Sequence, residues 1–171
     1  MRKILTIASS IALSFVSSVS WADSVNLQQK FSDIVSEYAQ KYDDAPNELK
    51  KSSVMRQRDE ALKALLPKFR FEKWIFPILK LGTTGDGNAY IILGGKNIPF
   101  TIGTMNNEFS DSSAGTLIKH GTPMYDVLSD LDKGQEVIVS GRLLEVIAIT
   151  ERGKMVDPDF TAKFSSIEPK K

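Results

Sequence analysis

The residues that could do chemistry are few, and their spacing argues more against catalysis than for it. His120 is the only histidine and there is no cysteine. A nucleophilic site would need that histidine beside an activated serine and an orienting carboxylate. It falls instead in Lys119-His120-Gly121, a turn sequence, and no G-x-S-x-G elbow occurs. One histidine without thiolates cannot complete a zinc site, which takes three or four nitrogen or sulfur ligands. Asp126, Asp130 and Asp132 recur at helical spacing, with Glu108 and Asp111 in the preceding loop. Nothing around them predicts the burial that would raise one carboxyl for acid-base work, so they read as a solvated helix face with caps. They also lack the ligand spacing of a calcium loop. Gly85-Asp86-Gly87-Asn88 reads as a turn. No catalytic residue, metal or cofactor is expected.

Binding chemistry is better represented. Tyr90 and Phe100 are the aromatics of two adjacent predicted strands, and Lys96 sits in the turn between them. Aromatics flanked by cations could stack and track a single-stranded nucleic acid. Alternation places Phe100 with Ile98 and Ile102 on the inner face, which leaves Tyr90 as the surface candidate. Lys50, Lys51, Arg56 and Arg58 cluster in a helix but are followed by Asp59 and Glu60, the pattern of an ordinary salt-bridged helix surface. The polar loop 106–121 has the length of loops that are either functional or disordered, and is the expected binding feature. Within it and beside it, Asn106, Asn107, Asp111, Lys119 and His120 join Tyr90 and Lys96 as expected binding residues.

The elements that position them follow from periodicity. Leu27, Phe31, Ile34, Val35, Tyr38 and Tyr42 mark an amphipathic helix opened by Asp23 or Ser24. Asp43-Asp44-Ala45-Pro46 interrupts it. A second helix, capped by Asn47, runs through Leu49, Met55, Leu62 and Leu65 to Pro67. The period then switches to two, with strands expected over residues 69–80, 88–93, 98–104, 135–146 and 159–167. Gly94-Gly95-Lys96-Asn97 reads as a hairpin turn, and Thr122-Pro123 as the start of a short helix reaching Leu131. Pro77 predicts an edge position or a bend in the first strand. Five strands with a helix between the third and fourth is the order of the OB-fold, a Greek-key barrel, here an α+β chain with two helices leading into it.

Ahead of these lies a basic tip, Arg2 and Lys3, an apolar stretch over 4–19 diluted with serines, and Ser20-Trp21-Ala22. This is the three-part pattern of a secretory signal peptide, with cleavage near Ala22. The apolar stretch is short for a membrane span. The expected divisions are a signal peptide over 1–22, a helical region over 23–67 and the barrel over 68–171. Of 22 basic and 21 acidic residues, two basic ones fall in the leader, so the remainder balances to within one charge. That is not the balance of a nucleic-acid-binding domain.

Trp74, the Gly85-Asp86-Gly87-Asn88 turn, Ser110-Asp111, Thr116-Leu117-Ile118 and Gly121-Thr122-Pro123-Met124-Tyr125 occur in one order with Lys133-Gly134-Gln135-Glu136-Val137 and Ser140-Gly141. Asp157-Pro158-Asp159-Phe160 and the run 164–169 close the set. In that order the chain resembles uncharacterised exported bacterial proteins with an OB-fold of the tRNA-anticodon-binding-like type. The resemblance spans residues 47–171, and implies a barrel in the cell envelope with no catalytic residues to carry over. The chain departs from it at Trp74-Ile75-Phe76-Pro77, where small residues usually follow the tryptophan.

The expected function is therefore an exported, non-enzymatic binding protein of the envelope, its partner another protein or a cell-wall glycan, with no membrane insertion once the leader is removed. Nucleic acid is not the expected partner. The competing expectations are a hydrolase or nuclease using carboxylates with Arg142 and Arg152, and an extracytoplasmic binder of single-stranded nucleic acid.

Overall fold

A computed structural model describes residues 21–144 and 155–171. Nearly all of the expected leader lies outside these residues, as do Arg152 and the end of the expected fourth strand. Among the described residues no helix is long and apolar enough to cross a membrane.

Helix α1 spans Trp21–Asp43 and α2 spans Glu48–Leu65. The first begins ahead of its expected start, so Asp23 lies in its first turn, where a negative charge complements the helix dipole. Asn47 caps α2 as its residue type predicts, its side-chain oxygen accepting the Lys50 N–H at 3.0 Å. The helix ends before Pro67, which opens a single tight turn over Pro67–Phe69. In that turn Lys68 and Phe69 both take positive φ, 56° and 54°, a strained geometry for residues with a Cβ. One expectation fails in α2. Arg58 is fully buried rather than part of a solvated face, with its guanidinium 3.1 Å from Asp59.

Five strands follow: β1 (Arg70–Thr83), β2 (Ala89–Leu93), β3 (Thr101–Gly103), β4 (Glu136–Leu143) and β5 (Asp159–Pro169). They close into a barrel in the order β1-β2-β3-β5-β4. Every pairing is antiparallel except β3 with β5. This is an OB-fold barrel with two helices before it, in an α+β chain. Between β3 and β4 lie a one-turn helix α3 (Glu108–Asp111) and α4 (Pro123–Ser129), the latter capped by Thr122 with Pro123 in its first turn. The third strand is much shorter than its sequence suggests. Gly95 to Ile98 makes the expected turn, but Pro99 has no N–H to offer the ladder, which forms only from Ile102 and Gly103.

β1 is long because it serves two neighbours. Its residues from Arg70 to Pro77 pair with β4 and those from Ile78 to Thr83 with β2. Ile78 turns its N–H and C=O toward Gln135 and Gly134, so by alternation Pro77 aims its missing donor away from β4. The carbonyl of Pro77 faces the same way and accepts from Gly94 at 3.1 Å. Pro77 thus marks the point where β1 changes partner.

Before that point the far edge of β1 has no strand beside it, and α1 covers it. The Gln28 amide accepts from the Ile75 N–H at 2.9 Å and donates to the Ile75 C=O at 2.8 Å, standing in for a neighbouring strand. One turn further along α1, Phe31 enters the core against Trp74, Phe100 and Phe160, with centroids 4.9–5.3 Å away. Val35, Leu62 and Leu66 join the same cluster, so both helices share one core with the barrel. Replacing Phe31 with alanine is expected to cost about 3–5 kcal/mol of stability, through lost burial and a cavity. Chemical denaturation measured against the parent chain checks this.

Candidate functional site

The stretch from Thr104 to His120 is polar, yet it is organised throughout. Its centre is Asp111. One carboxylate oxygen accepts the Thr116 N–H and the Thr116 hydroxyl, both at 2.6 Å, while the other accepts the Leu117 N–H at 3.1 Å. The Asp111 carbonyl takes the N–H groups of Ala114 and Gly115. The Thr116 hydroxyl in turn accepts from Met105 at 2.8 Å, and Thr104 accepts the Ile91 N–H at 3.1 Å. Both threonines are buried. Burial of such hydroxyls is tolerated only when they are bonded, so the chain of contacts fastens the segment to β2. At its far end Ile118 pairs with Ala89 through two backbone bonds.

Asn107 caps α3, accepting the Ser110 N–H at 2.8 Å, and its own amide donates to Asn106. Glu108 reaches across to the β1–β2 turn and accepts the Asp86 N–H at 3.2 Å. Hydrogen bonding from the Thr84 side chain, then from the N–H groups of Glu108 itself and Asp86, holds the Glu108 carboxyl below the usual carboxylate range.

These contacts leave one apolar side chain outward. Phe109 is 91% exposed at the crest of α3, surrounded by Asn106, Asn107, Ser110, Ser112 and Ser113. Reasoning from residue types passed over it in favour of the polar residues beside it. The available signal was a lone aromatic in an otherwise polar run.

Of the expected binding residues, Asn106, Asn107 and Asp111 come together around α3, with the Asp111 carboxylate engaged in holding the loop. Lys119 and His120 are exposed at the other end of the segment. The His120 N–H reaches the Asn88 side chain at 3.4 Å, and its ring meets the Tyr125 ring edge-on at 5.0 Å. Tyr90 stands apart on the outer face of β2, half-buried, its ring over Gly82 and 5.4 Å from the Lys80 ammonium. A Cβ at position 82 would meet the tyrosine hydroxyl at 2.6 Å, so the glycine makes room for the ring. Lys96 is exposed at the opposite end of β2 from Ala89, away from α3. Between residues 115–119, α4 and β5 runs a groove of about 600 Å³, lined in part by Leu117, Met124 and Val127. Among the described residues no three histidine, aspartate or glutamate side chains are placed to share a metal ion.

Comparison with protein-family models, curated proteins and solved structures finds no match.

Two measurements test this account of the segment. Asp111→Ala is expected to cost about 1–3 kcal/mol, because Thr116 and Leu117 lose a shared acceptor. Hydrogen exchange should show those two amides losing protection while the barrel amides of β4 keep theirs. Glu108 contributes a pH dependence. Its folded pKa is depressed, so its contribution to stability is present above the unfolded value of about 4.3 and is lost as pH falls through the folded value. A carboxyl NMR titration should place Glu108 below the usual carboxylate range, and Thr84→Val should move it upward.

Proposed function

We propose that the chain is an exported, non-enzymatic binding protein of the bacterial envelope, and that its barrel is the scaffold for a contact surface on residues 104–120. The observation that carries this reading is Phe109, an aromatic ring almost wholly in water on a segment that spends an aspartate and two buried threonines on holding its shape. A ring carried on a backbone already held in place spares a partner the cost of ordering the loop, and its large apolar area makes it an effective anchor. The neutral amides and hydroxyls around it suit a polar, uncharged partner surface. Those features match an envelope protein or a cell-wall glycan, where a sugar's apolar face meets the ring and its hydroxyls meet Asn106, Asn107 and Ser110. The leader pattern over residues 1–22 and the resemblance to exported OB-fold proteins support the envelope setting.

The test pairs fractionation with binding. The native chain is expected in the extracytoplasmic fraction with its N-terminus near Asp23. It should sediment with purified cell-wall sacculi, or crosslink to an envelope protein through a photoreactive residue at position 109. Phe109→Ala should abolish whichever occurs, and its unfolding midpoint should match the parent's because the side chain packs on nothing. Retention of binding by Phe109→Ala, or recovery of the chain from the cytoplasm alone, would defeat the reading.

A further inference from the structure

A second surface lies where β1, β4 and β5 run side by side. Arg70 is the register partner of Arg142 in β4, and Arg142 that of Lys163 in β5. Directly opposed residues of antiparallel strands project from the same face, so three cations stand in one row across three strands. All three are exposed, while their neighbours Phe71, Leu143 and Phe164 are buried. Like charges placed directly opposite destabilise a sheet, and strands normally intersperse acids to avoid it. Among the described residues none of the three is in an ion pair.

The row borders a groove of about 590 Å³, whose charged lining is Lys68, Arg70, Arg142 and Lys163 against the single acid Glu72. Two irregularities shape it. β1 has one residue more than β4 between Phe71 and Trp74, where Lys73 takes a φ of 54° and donates its N–H to the Ser140 hydroxyl. β5 has one residue more than β4 between Phe164 and Ser166. Bulges of this kind bend strands and re-aim side chains. Gly141 lies between them, and a Cβ there would sit 2.5 Å from the Lys163 carbonyl. Only glycine lets β4 and β5 approach so closely at the floor of the groove.

We propose that this groove is a binding site for a diphosphate ester. Arginine forks and a lysine ammonium are the side chains suited to phosphate oxygens. The lining carries a net three positive charges, and a diphosphate ester offers about two to three negative ones. A single tetrahedral anion leaves part of the row uncompensated. A nucleic-acid strand is disfavoured, because its bases would need exposed rings to stack on, and the aromatics of the lining, Phe71 and Phe164, are buried. The volume suits a small ligand. The groove shares no lining residue with the Phe109 surface.

The test uses inorganic pyrophosphate, a nucleoside diphosphate, and neutral vesicles with and without a prenyl diphosphate. Pyrophosphate at millimolar concentration is expected to shift the amides of Ser140, Gly141, Arg142 and Lys163, and the nucleoside diphosphate the same set. Arg142→Gln and Lys163→Gln should each weaken binding by about tenfold, while Lys96→Gln, far from the groove, should not change it. At low salt Arg142→Gln should also unfold later than the parent, since it relieves the opposed charges; Lys163→Gln gives a second reading should that variant fold poorly. Recruitment only to vesicles carrying the prenyl diphosphate would identify a lipid-borne ligand, and binding of the nucleotide without recruitment a soluble one. Either result supports the site. Absence of shifts, equal binding of sulfate or orthophosphate, or tighter binding of oligodeoxythymidine than pyrophosphate at equal phosphate concentration would overturn it.

Discussion

β1 meets β4 only along Arg70–Pro77 and β2 only along Ile78–Thr83, so the edge that pairs with β2 in its second half is without a strand between Arg70 and Pro77. Unpaired peptide groups at that edge would cost about 1–3 kcal/mol apiece if covered without partners. The Gln28 amide removes the cost at Ile75 by offering a donor and an acceptor in the spacing of a peptide. Because Phe31 follows three residues later on the same helical face, that bond also sets the ring against Trp74, Phe100 and Phe160. The helix before the barrel is therefore part of its wall. Trp74 shows how strongly the packing term dominates: its indole N–H is buried without an acceptor among the described residues, amid four aromatic neighbours. The area and ring contacts of a buried tryptophan outweigh one unmade hydrogen bond.

The same logic of satisfied polar groups explains why a long polar connection between β3 and β4 holds its shape. β3 contributes only three residues to the ladder, so β2 has backbone groups to spare at its other end. Thr104 takes the Ile91 N–H and Ile118 takes both groups of Ala89. The segment between those anchors must turn back on itself, and Asp111 gathers three donors at the turn. Phe109 stands exposed at the crest of α3, between residues whose side chains cap or bridge the segment.

The parts of this arrangement that are local in sequence were legible before the structure. The helical period from Leu27 to Tyr42, the Asn47 cap, the Thr122-Pro123 start and the alternation through Phe100 and Ile102 each follow from residues within a few positions of one another, and the barrel follows from their order. What depends on pairing was hidden. Arg58 looks like any solvated arginine until Leu62 on the same helix and Leu66 just after its end turn that face into the core. The expected strand over 98–104 ignored the missing donor of Pro99. Of the seven expected site residues, Asn106, Asn107 and Asp111 lie together around α3, but the bonds by which Asn107 caps the helix and Asp111 braces the loop depend on turn geometry that residue types alone do not give. The cation row could not be read at all. Arg70, Arg142 and Lys163 are distant in sequence and fall into line only after the bulges in β1 and β5 have set the register.

A chain without cysteines has no covalent means of tolerating an unfavourable surface, so the row of cations must be held by what lies beneath it. Phe71 and Phe164 are buried directly under that stretch of sheet, with ring centroids 6.3 Å apart in an edge-to-face contact, and Phe71 passes the contact on to Trp74. Opposed surface charges are screened by water and salt, whereas the ring packing below is not. The inner face of the sheet thus fixes a register that the outer face, left to its own electrostatics, would avoid. To one side, the Lys163 ammonium lies beside Gly115, a residue of the loop that Asp111 holds. The end of the row thus lies against the loop that the Asp111 carboxylate braces.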